Sequence, residues 1–488
     1  MRAAGGDDEG LEERTRLALR AAGDRAFALN SFAVAAAQYE EALELWPEDD
    51  ERPELMFRRA RSLFYAYDEA RREAALEEAR DSLLAAGVTD RAAEAESYLA
   101  LIAWYRGEMD ATESHLKRAD ELSQGSTSPS VARVLAVSAR TRVIASIEGG
   151  QNIEAGRMLA ESALAMANEL ELAELRAHAL TTVGMAKNEV GDASGVEDMH
   201  RALDIARDID SPIAVAILNN LAVEASIGGA LRRAEELYRG SMQLAEDLGD
   251  REMARFTGTN VIFVDFFLGR WDDAVAALDE FIASCDAGAS HANESEMREI
   301  RGSIRRARGD AEGALADHRR AVELARSRRD EVALAPALAA LAATLADGGD
   351  LHEAQTIVEE FLAVIRATGD WRAVAPLLSF VDRLGITQAL VEILDKHPAR
   401  RAVVWREAVY QALAGDASAA ADRVAETEHL TMEAQIRLLA ADRLLVHGRR
   451  ADAEDELRKA LALYRSVDAH HAVAQIEEAL AGAQSESA

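Results

Sequence analysis

Between residues 213 and 370 the apolar positions recur at three- and four-residue spacing, and glycine interrupts them at fixed intervals. Four segments align side by side: GGALRRAEELYRGSMQLAEDLGD, LGRWDDAVAALDEFIASCDAG, RGDAEGALADHRRAVELARSRRD and GGDLHEAQTIVEEFLAVIRATGD. Gly229, Gly269, Gly309 and Gly349 lie 40 residues apart, as do Ala234, Ala274, Ala314 and Ala354. Met242, Ile282, Val322 and Leu362 keep the same register. Three features recurring together predict a repeated unit of helix, glycine turn, helix and connector.

Each marker has a physical reading. A glycine just past a helix adopts the left-handed conformation without steric cost, and the chain can then reverse tightly. The alanine five residues later falls where the second helix crosses the first, and its small side chain lets the two axes approach closely.

A looser form of the pattern covers the rest of the chain. Asn30, Ala35, Tyr39 and Ala42 mark a first pair that closes at Pro47, and a degenerate pair runs from Pro53 to about Ala86. Gly107, Gly149-Gly150 and Gly191-Asp192 mark three more. Trp371 to Lys396 forms a shorter, irregular pair, Gly415 and Gly448 mark the last two, and a terminal helix runs from about Ala469 to Ala481. The expected organisation is a flexible leader (1–10), N-terminal repeats (11–210), four regular 40-residue repeats (211–370), irregular C-terminal repeats (371–468) and a capping helix with its tail (469–488). Stacking buries the apolar face that no pair can bury alone, so the fold class is all-α, an α-solenoid of about twelve antiparallel pairs with a concave inner surface.

Gly229-x-Leu231-x-x-Ala234-x-x-x-Tyr238 and Asn30-x-Phe32-x-x-Ala35-x-x-x-Tyr39-x-x-Ala42-Leu43-x-x-x-Pro47 resemble the tetratricopeptide repeat. The period is longer than the usual length of about 34 residues. The resemblance implies a right-handed superhelix that binds protein or peptide partners. The stretches Ala21–Asp50 and Ala460–Ala469 also look like the C-terminal helical arrays of bacterial class III adenylate cyclases and AAA-ATPase-linked transcriptional regulators. That second resemblance implies a regulatory array whose catalytic domains lie outside this chain.

Composition narrows the function. Hydrophobic residues make up 49% of the 488 residues, aromatics 5%, and proline occurs 7 times, which favours helix throughout and supplies a core. The 87 acidic residues exceed the 55 basic ones, for a formal charge of −32. Such a surface repels phosphates and anionic lipid, so neither nucleic acid nor a membrane is an expected partner. The longest uncharged run, Val332 to Ala346, is too short to span a bilayer. The single cysteine, Cys285, and the lack of an apolar leader suit a soluble cytoplasmic protein.

No catalytic constellation emerges. A phosphate-binding Gly-x-x-x-x-Gly-Lys-Ser/Thr loop and a His-Glu-x-x-His motif are both missing. Lys187 lies within a helical stretch. His318 shares its repeat position with Tyr238, Leu278 and Val358, so it reads as a residue packed between helices. The acid pairs Asp272-Asp273 and Glu359-Glu360 begin or decorate helices, where dipole and solvation account for them. Cys285 reads as a small apolar filler. The chain is read as a non-enzyme with no catalytic residue, no cofactor and no metal.

Counting back from the turn glycines places Asn219, Asn220 and Val223, then Thr259, Asn260, Phe263, Phe266 and Phe267, on the inner face. Asn220 and Asn260 are equivalent, and carboxamides can grip a peptide backbone through donor and acceptor. A clamp for a terminal carboxylate also needs basic neighbours, and Ala216 and Ile300 occupy those positions. An aromatic groove formed by Phe256, Phe263, Phe266 and Phe267, fit for an apolar or amphipathic helix, is the favoured site, although the same residues suit a core. Tyr98, Trp104 and Tyr105 form a second cluster with both readings open.

Overall fold

The computed structural model describes residues 7–66, 68, 70–106, 108–149, 153–328, 330–398, 401 and 403–485. These residues form 24 α-helices and one 3₁₀ segment, with no strand among them. The count corresponds to twelve helix pairs followed by a terminal helix, the all-α repeat that the spacing predicts. The chain divides into two units, Met1–Ile217 with Asp247–Glu252, and Leu218–Glu246 with Met253–Ala488.

The first unit holds α1 (Asp7–Ala28), α2 (Phe32–Glu44), α3 (Arg52–Tyr65), α4 (Arg72–Ala85), α5 (Thr89–Tyr105), α6 (Met109–Ser123), α7 (Pro129–Gly149), α8 (Ile153–Glu169), α9 (Ala173–Glu189) and α10 (Ser194–Asp208). Each helix packs against its successor, and α5, α7 and α9 also touch in series, so the pairs stack. Asn30 takes the glycine role at the first turn with φ 58°, the left-handed conformation that asparagine tolerates best after glycine. Gly107 and Gly150 lie outside the described residues.

Two carboxylates on α5 are fully buried in this unit. Glu94 meets Arg91 at 2.9 Å, Arg133 at 3.0 Å and Arg61 at 3.8 Å. Glu96 meets His115 Nδ1 at 2.6 Å, Arg118 at 3.3 Å and Arg80 at 3.5 Å. Both acids are therefore surrounded by cations within the unit's own core. Lys187, in α9, pairs with Asp198 at 2.7 Å.

The division falls within α11 (Ile213–Ile227). The second unit continues through α12 (Leu231–Asp247), α13 (Arg251–Phe267), α14 (Trp271–Asp286), α15 (Glu294–Arg308), α16 (Ala311–Arg328), α17 (Glu331–Asp347) and α18 (Leu351–Thr368). The marker residues behave as their spacing predicts. Gly229, Gly269, Gly309 and Gly349 have φ of 83°, 78°, 96° and 86°. Ala234, Ala274, Ala314 and Ala354 are each 0% exposed, so no room remains for a larger side chain at the crossings. Asp330 and Asp350 start α17 and α18 by accepting from the amides of Ala333 and Glu353.

His318 is buried between helices as expected. Its Nδ1 lies 2.8 Å from Thr344 Oγ1 and its Nε2 3.1 Å from the Glu299 carbonyl, and burial pushes its pKa down to about 4. Gly302 faces this imidazole, which a β-carbon there would strike. Cys285 is 8% exposed beside Phe281 and Ile282, and burial raises its thiol pKa.

After Gly369 the regular repeat stops. A 3₁₀ segment, Trp371–Phe380, contains Pro376, which withholds an amide from a helical ladder. The chain then forms α19 (Thr387–Lys396), α20 (Val404–Leu413), α21 (Ala417–Ala425), α22 (Leu430–Val446), α23 (Arg450–Ser466) and α24 (His470–Ser485). These last helices return to the first ones of the unit. Ile262, Trp271, Ile300 and Ile304 share one apolar core with Leu457, Leu461, Tyr464 and Ile476.

Candidate binding chamber

The return of α20–α24 decides what the inner helices face. A β-carbon on Gly269 would lie 2.6 Å from Leu430 Cδ1 and 3.3 Å from Val467 Cγ1. One on Gly229 would lie 2.9 Å from Thr427 Cγ2. Arg308 donates to the Val467 carbonyl at 3.2 Å, and Arg401 pairs with Glu224 at 2.6 Å. Helix α24, expected only to shield the last pair, also packs on α15, and its Gln475 donates to Asp347 at 2.8 Å. The concave face expected to be an open groove is thus, in this unit, the wall of a chamber of about 450 Å³.

One wall is aromatic. Phe263, Phe266 and Phe267 of α13 line it, with Trp271 at the start of α14 and Val223 of α11. Phe266 stacks on Trp271 at a centroid distance of 5.8 Å. Phe267 contacts His429 at 4.2 Å and Trp405 at 6.2 Å, so it serves core and wall together. Trp371 and Phe380 of the 3₁₀ segment close another side. The C-terminal helices add His429, Met432, Gln435 and Tyr464.

Polar groups come from several elements, and four of them sit together on α15. Glu296, Glu299, Ser303 and Arg306 all line the chamber. Burial pushes both carboxyls up to about 7, with Glu296 adding to the rise at Glu299. Ser303 Oγ donates to Glu299 at 3.1 Å, whereas the buried Glu296 Oε2 has no hydrogen-bond partner. Arg306 lies 5.4 Å from the Phe380 ring centroid. His429 Nδ1 accepts from the Met432 amide at 3.3 Å and so caps α22. Burial lowers that imidazole to about 3, which keeps it neutral. On the C-terminal side, Gln435 Nε2 donates to Tyr464 Oη at 3.2 Å and its carbonyl accepts from Ser379 at 2.5 Å. Among the described residues no group of three or more His, Cys, Asp or Glu could hold a metal ion.

The residues expected on the inner face divide sharply. Val223, Phe263, Phe266 and Phe267 reach the chamber. Asn219 and Asn260 instead bond to each other at 2.9 Å, consuming a donor and an acceptor within the protein. Thr259 is fully buried and accepts from Asn293 Nδ2 at 2.8 Å. Neither Asn220 nor Thr259 lines the chamber, and Phe256 is 37% exposed away from it. In the first unit Tyr98 is a core residue, 1% exposed, with its hydroxyl 3.2 Å from that of Tyr65. Trp104 is half-buried against the same core, and the side chain of Tyr105 lies outside the described residues.

Of the chamber's charged groups on α15, Glu299 and Arg306 carry a signal in the sequence that the inner-face positions named from Gly229 and Gly269 leave unused. Counting back from Gly309 as from Gly269 gives Glu299, Ile300, Ser303, Arg306 and Ala307, and all five line the chamber. The contributions of Trp371, Gln435 and Tyr464 had no such signal, because they depend on the chain returning on itself.

No protein-family model matches the chain, and no curated protein does. Among solved structures it is similar to a Rap protein complexed with competence and sporulation factor, at 16% identity, covering 78% of this chain and 99% of that one, with a TM-score of 0.46. Yeast Tom70 aligns at 14% identity over 98% and 97% of the two chains, TM-score 0.31. The Cut9 and Hcn1 hetero-tetramer of the APC/C aligns at 13% identity over 94% and 90%, TM-score 0.41. Similarity at this level assigns neither a partner nor an activity.

Proposed function

We propose that the chain is a non-catalytic helical-repeat protein that binds a peptide, with the chamber of the second unit receiving part of it. The supporting observation is the chamber itself: a cavity of about 450 Å³, mostly apolar, with one aromatic wall and with Glu296, Glu299, Ser303 and Arg306 together on α15. That size and lining are typical of sites that enclose a ligand segment, in which apolar walls provide affinity and sparse polar groups provide orientation. The walls come from successive first helices, so a bound segment crosses several repeats.

A library of immobilised heptapeptides probed with the full chain tests this reading. Peptides that bind should lose about tenfold or more in affinity on Phe263→Ser, a change on the wall. Asn260→Ala, which breaks a bond internal to the protein, should leave affinity within about threefold. Binding unaffected by Phe263→Ser, or no binding peptide at all, overturns the assignment.

A further inference from the structure

Glu296 and Glu299 lie one helical turn apart on α15 and face the same cavity. A carboxylate removed from water costs free energy unless a cation or hydrogen-bond donors compensate it. Within the protein the compensation is incomplete. Glu299 has the Ser303 hydroxyl, and Glu296 Oε2 has no donor at all.

Arg306 acts on Glu299, while Arg328 and Asp330 act on Glu296 with opposite signs. Asp347 is engaged by Gln475 and by His471, 3.4 Å away. Asp370 pairs with Arg372 at 2.8 Å. His318 and His429 are held neutral by burial. When both are ionised, two carboxylates against Arg306 therefore leave the α15 part of the wall short of one positive charge.

We propose that the chamber is selective for a cation on an apolar stem, such as a lysine side chain, with the ammonium between Glu296 and Glu299 and the stem along Phe263 and Phe266. This rests on the peptide-binding reading and deepens it. The chemistry suits both elements. An ammonium supplies three donors to carboxylate oxygens that lack them, and its methylene stem is apolar. Aromatic faces favour a nearby cation over a neutral group of the same shape. Entry of the cation would convert raised-pKa carboxyls to their charged forms, so binding would release protons and weaken as the medium is acidified.

The probes are n-hexylammonium and its neutral isostere 1-hexanol, titrated into the full chain by calorimetry near pH 8. Hexylammonium should bind at least about tenfold more tightly than hexanol. That preference should fall at least about tenfold near pH 5.5, where the carboxyls are protonated, and it should disappear in the double variant Glu296→Gln/Glu299→Gln. Gln keeps the side-chain shape, and a retained helical circular-dichroism spectrum with retained hexanol binding shows that the variant chamber is intact. A variant that fails to fold is replaced by single Glu299→Gln, for which the same loss of preference is expected. Equal binding of the two probes, or a preference that survives the substitutions, overturns the proposal.

Peptides distinguish this inference from the reading beneath it. Heptapeptides carrying lysine should bind more tightly than the same peptides carrying norleucine. If the norleucine versions bind equally well, peptide binding stands and cation selectivity fails. If hexylammonium binds selectively but no peptide does, the chamber takes a small amine and the peptide reading fails.

Discussion

The two units bury carboxylates in opposite ways. In the first, Glu94 and Glu96 are inaccessible and set among arginines, with Arg91 and Arg133 within 3.0 Å of Glu94 and Arg118 3.3 Å from Glu96. In the second, Ser303 donates to Glu299 while Glu296 Oε2 has no hydrogen-bond partner, and burial pushes both carboxyls up to about 7. The same side chain on the same kind of helix is in one place consumed by the fold and in the other left with capacity to spare. A buried charge whose partners are all internal is a structural element, whereas one whose partners are missing points outward to a ligand. Burial alone does not separate the cases. The census of nearby cations does, since Glu96 Oε1, like Glu296 Oε2, lacks a hydrogen bond but lies 3.3 Å from Arg118 and 3.5 Å from Arg80.

The most damaging way to probe this contrast is to remove a paired acid. Glu94→Ala leaves Arg61, Arg91 and Arg133 without their shared counter-charge. Their side chains are 17%, 31% and 24% exposed, so water relieves only part of the penalty. A loss of about 3 kcal/mol is expected, measurable as a lower urea midpoint at unchanged slope. A change below about 0.5 kcal/mol would mean that the first unit's acids are as dispensable as the second unit's, and the contrast would dissolve.

Next in size is a test of the frame that carries both pairs of acids. Ala274→Leu should cost about 1–3 kcal/mol through overpacking at a crossing where the native side chain is 0% exposed. This part of the molecule was legible in the sequence. The 40-residue spacing locates the turn glycines and alanine crossings of the four regular repeats, and the looser pattern the other pairs, because each follows from local backbone conformation or the immediate neighbour helix. The site was legible only in part. Phe263 and Phe266 follow from their distances to Gly269, and Ser303 and Arg306 from the same distances to Gly309. Spacing offers Asn220 and Asn260 as a pair able to grip a peptide backbone, but it cannot reveal that Asn260 bonds instead to Asn219 within the protein. Nor does any periodicity announce that α20–α24 return to close the inner face. That return follows from long-range apolar contacts after a proline-bearing irregular segment.

Removing an unpaired acid should have the opposite sign. Glu299 has a folded pKa of about 7 against 4.5 unfolded, so between these values the native state holds the proton that the unfolded state has lost. Its contribution to stability is therefore most favourable below about pH 4.5, declines as pH rises to about 7, and stays unfavourable above that. Glu299→Gln should stabilise the chain by about 1–2 kcal/mol near pH 8, with the gain vanishing near pH 4. Thermal denaturation of both proteins across that range checks the sign. A stability loss near pH 8 would show that Glu299 is satisfied in the native state after all.

The smallest effect concerns an ion pair that is neither buried nor spare. Arg232 and Glu428 meet at 2.6 Å where the end of α21 approaches the start of α12, with side chains 67% and 47% exposed. Water already solvates both charges in the unfolded chain and largely continues to do so in the folded one, so their attraction is screened and the ordering of two long side chains offsets much of it. Arg232→Met should change stability by no more than about 0.5 kcal/mol, with any loss fading as salt is raised. Closure of the chamber then rests on apolar packing, above all Gly269 against Leu430 and Val467, where no side chain can be added without displacing them. Denaturation at low and high salt, compared between Arg232→Met and Leu430→Ala, distinguishes the two contributions. The leucine truncation should cost about 1–2 kcal/mol and be insensitive to salt, since it removes methyl groups of a half-buried side chain packed on Gly269 rather than charge. A larger effect from Arg232→Met than from Leu430→Ala would place the closing energy in electrostatics, and exposure would then be a poor guide to which charges matter in this chain.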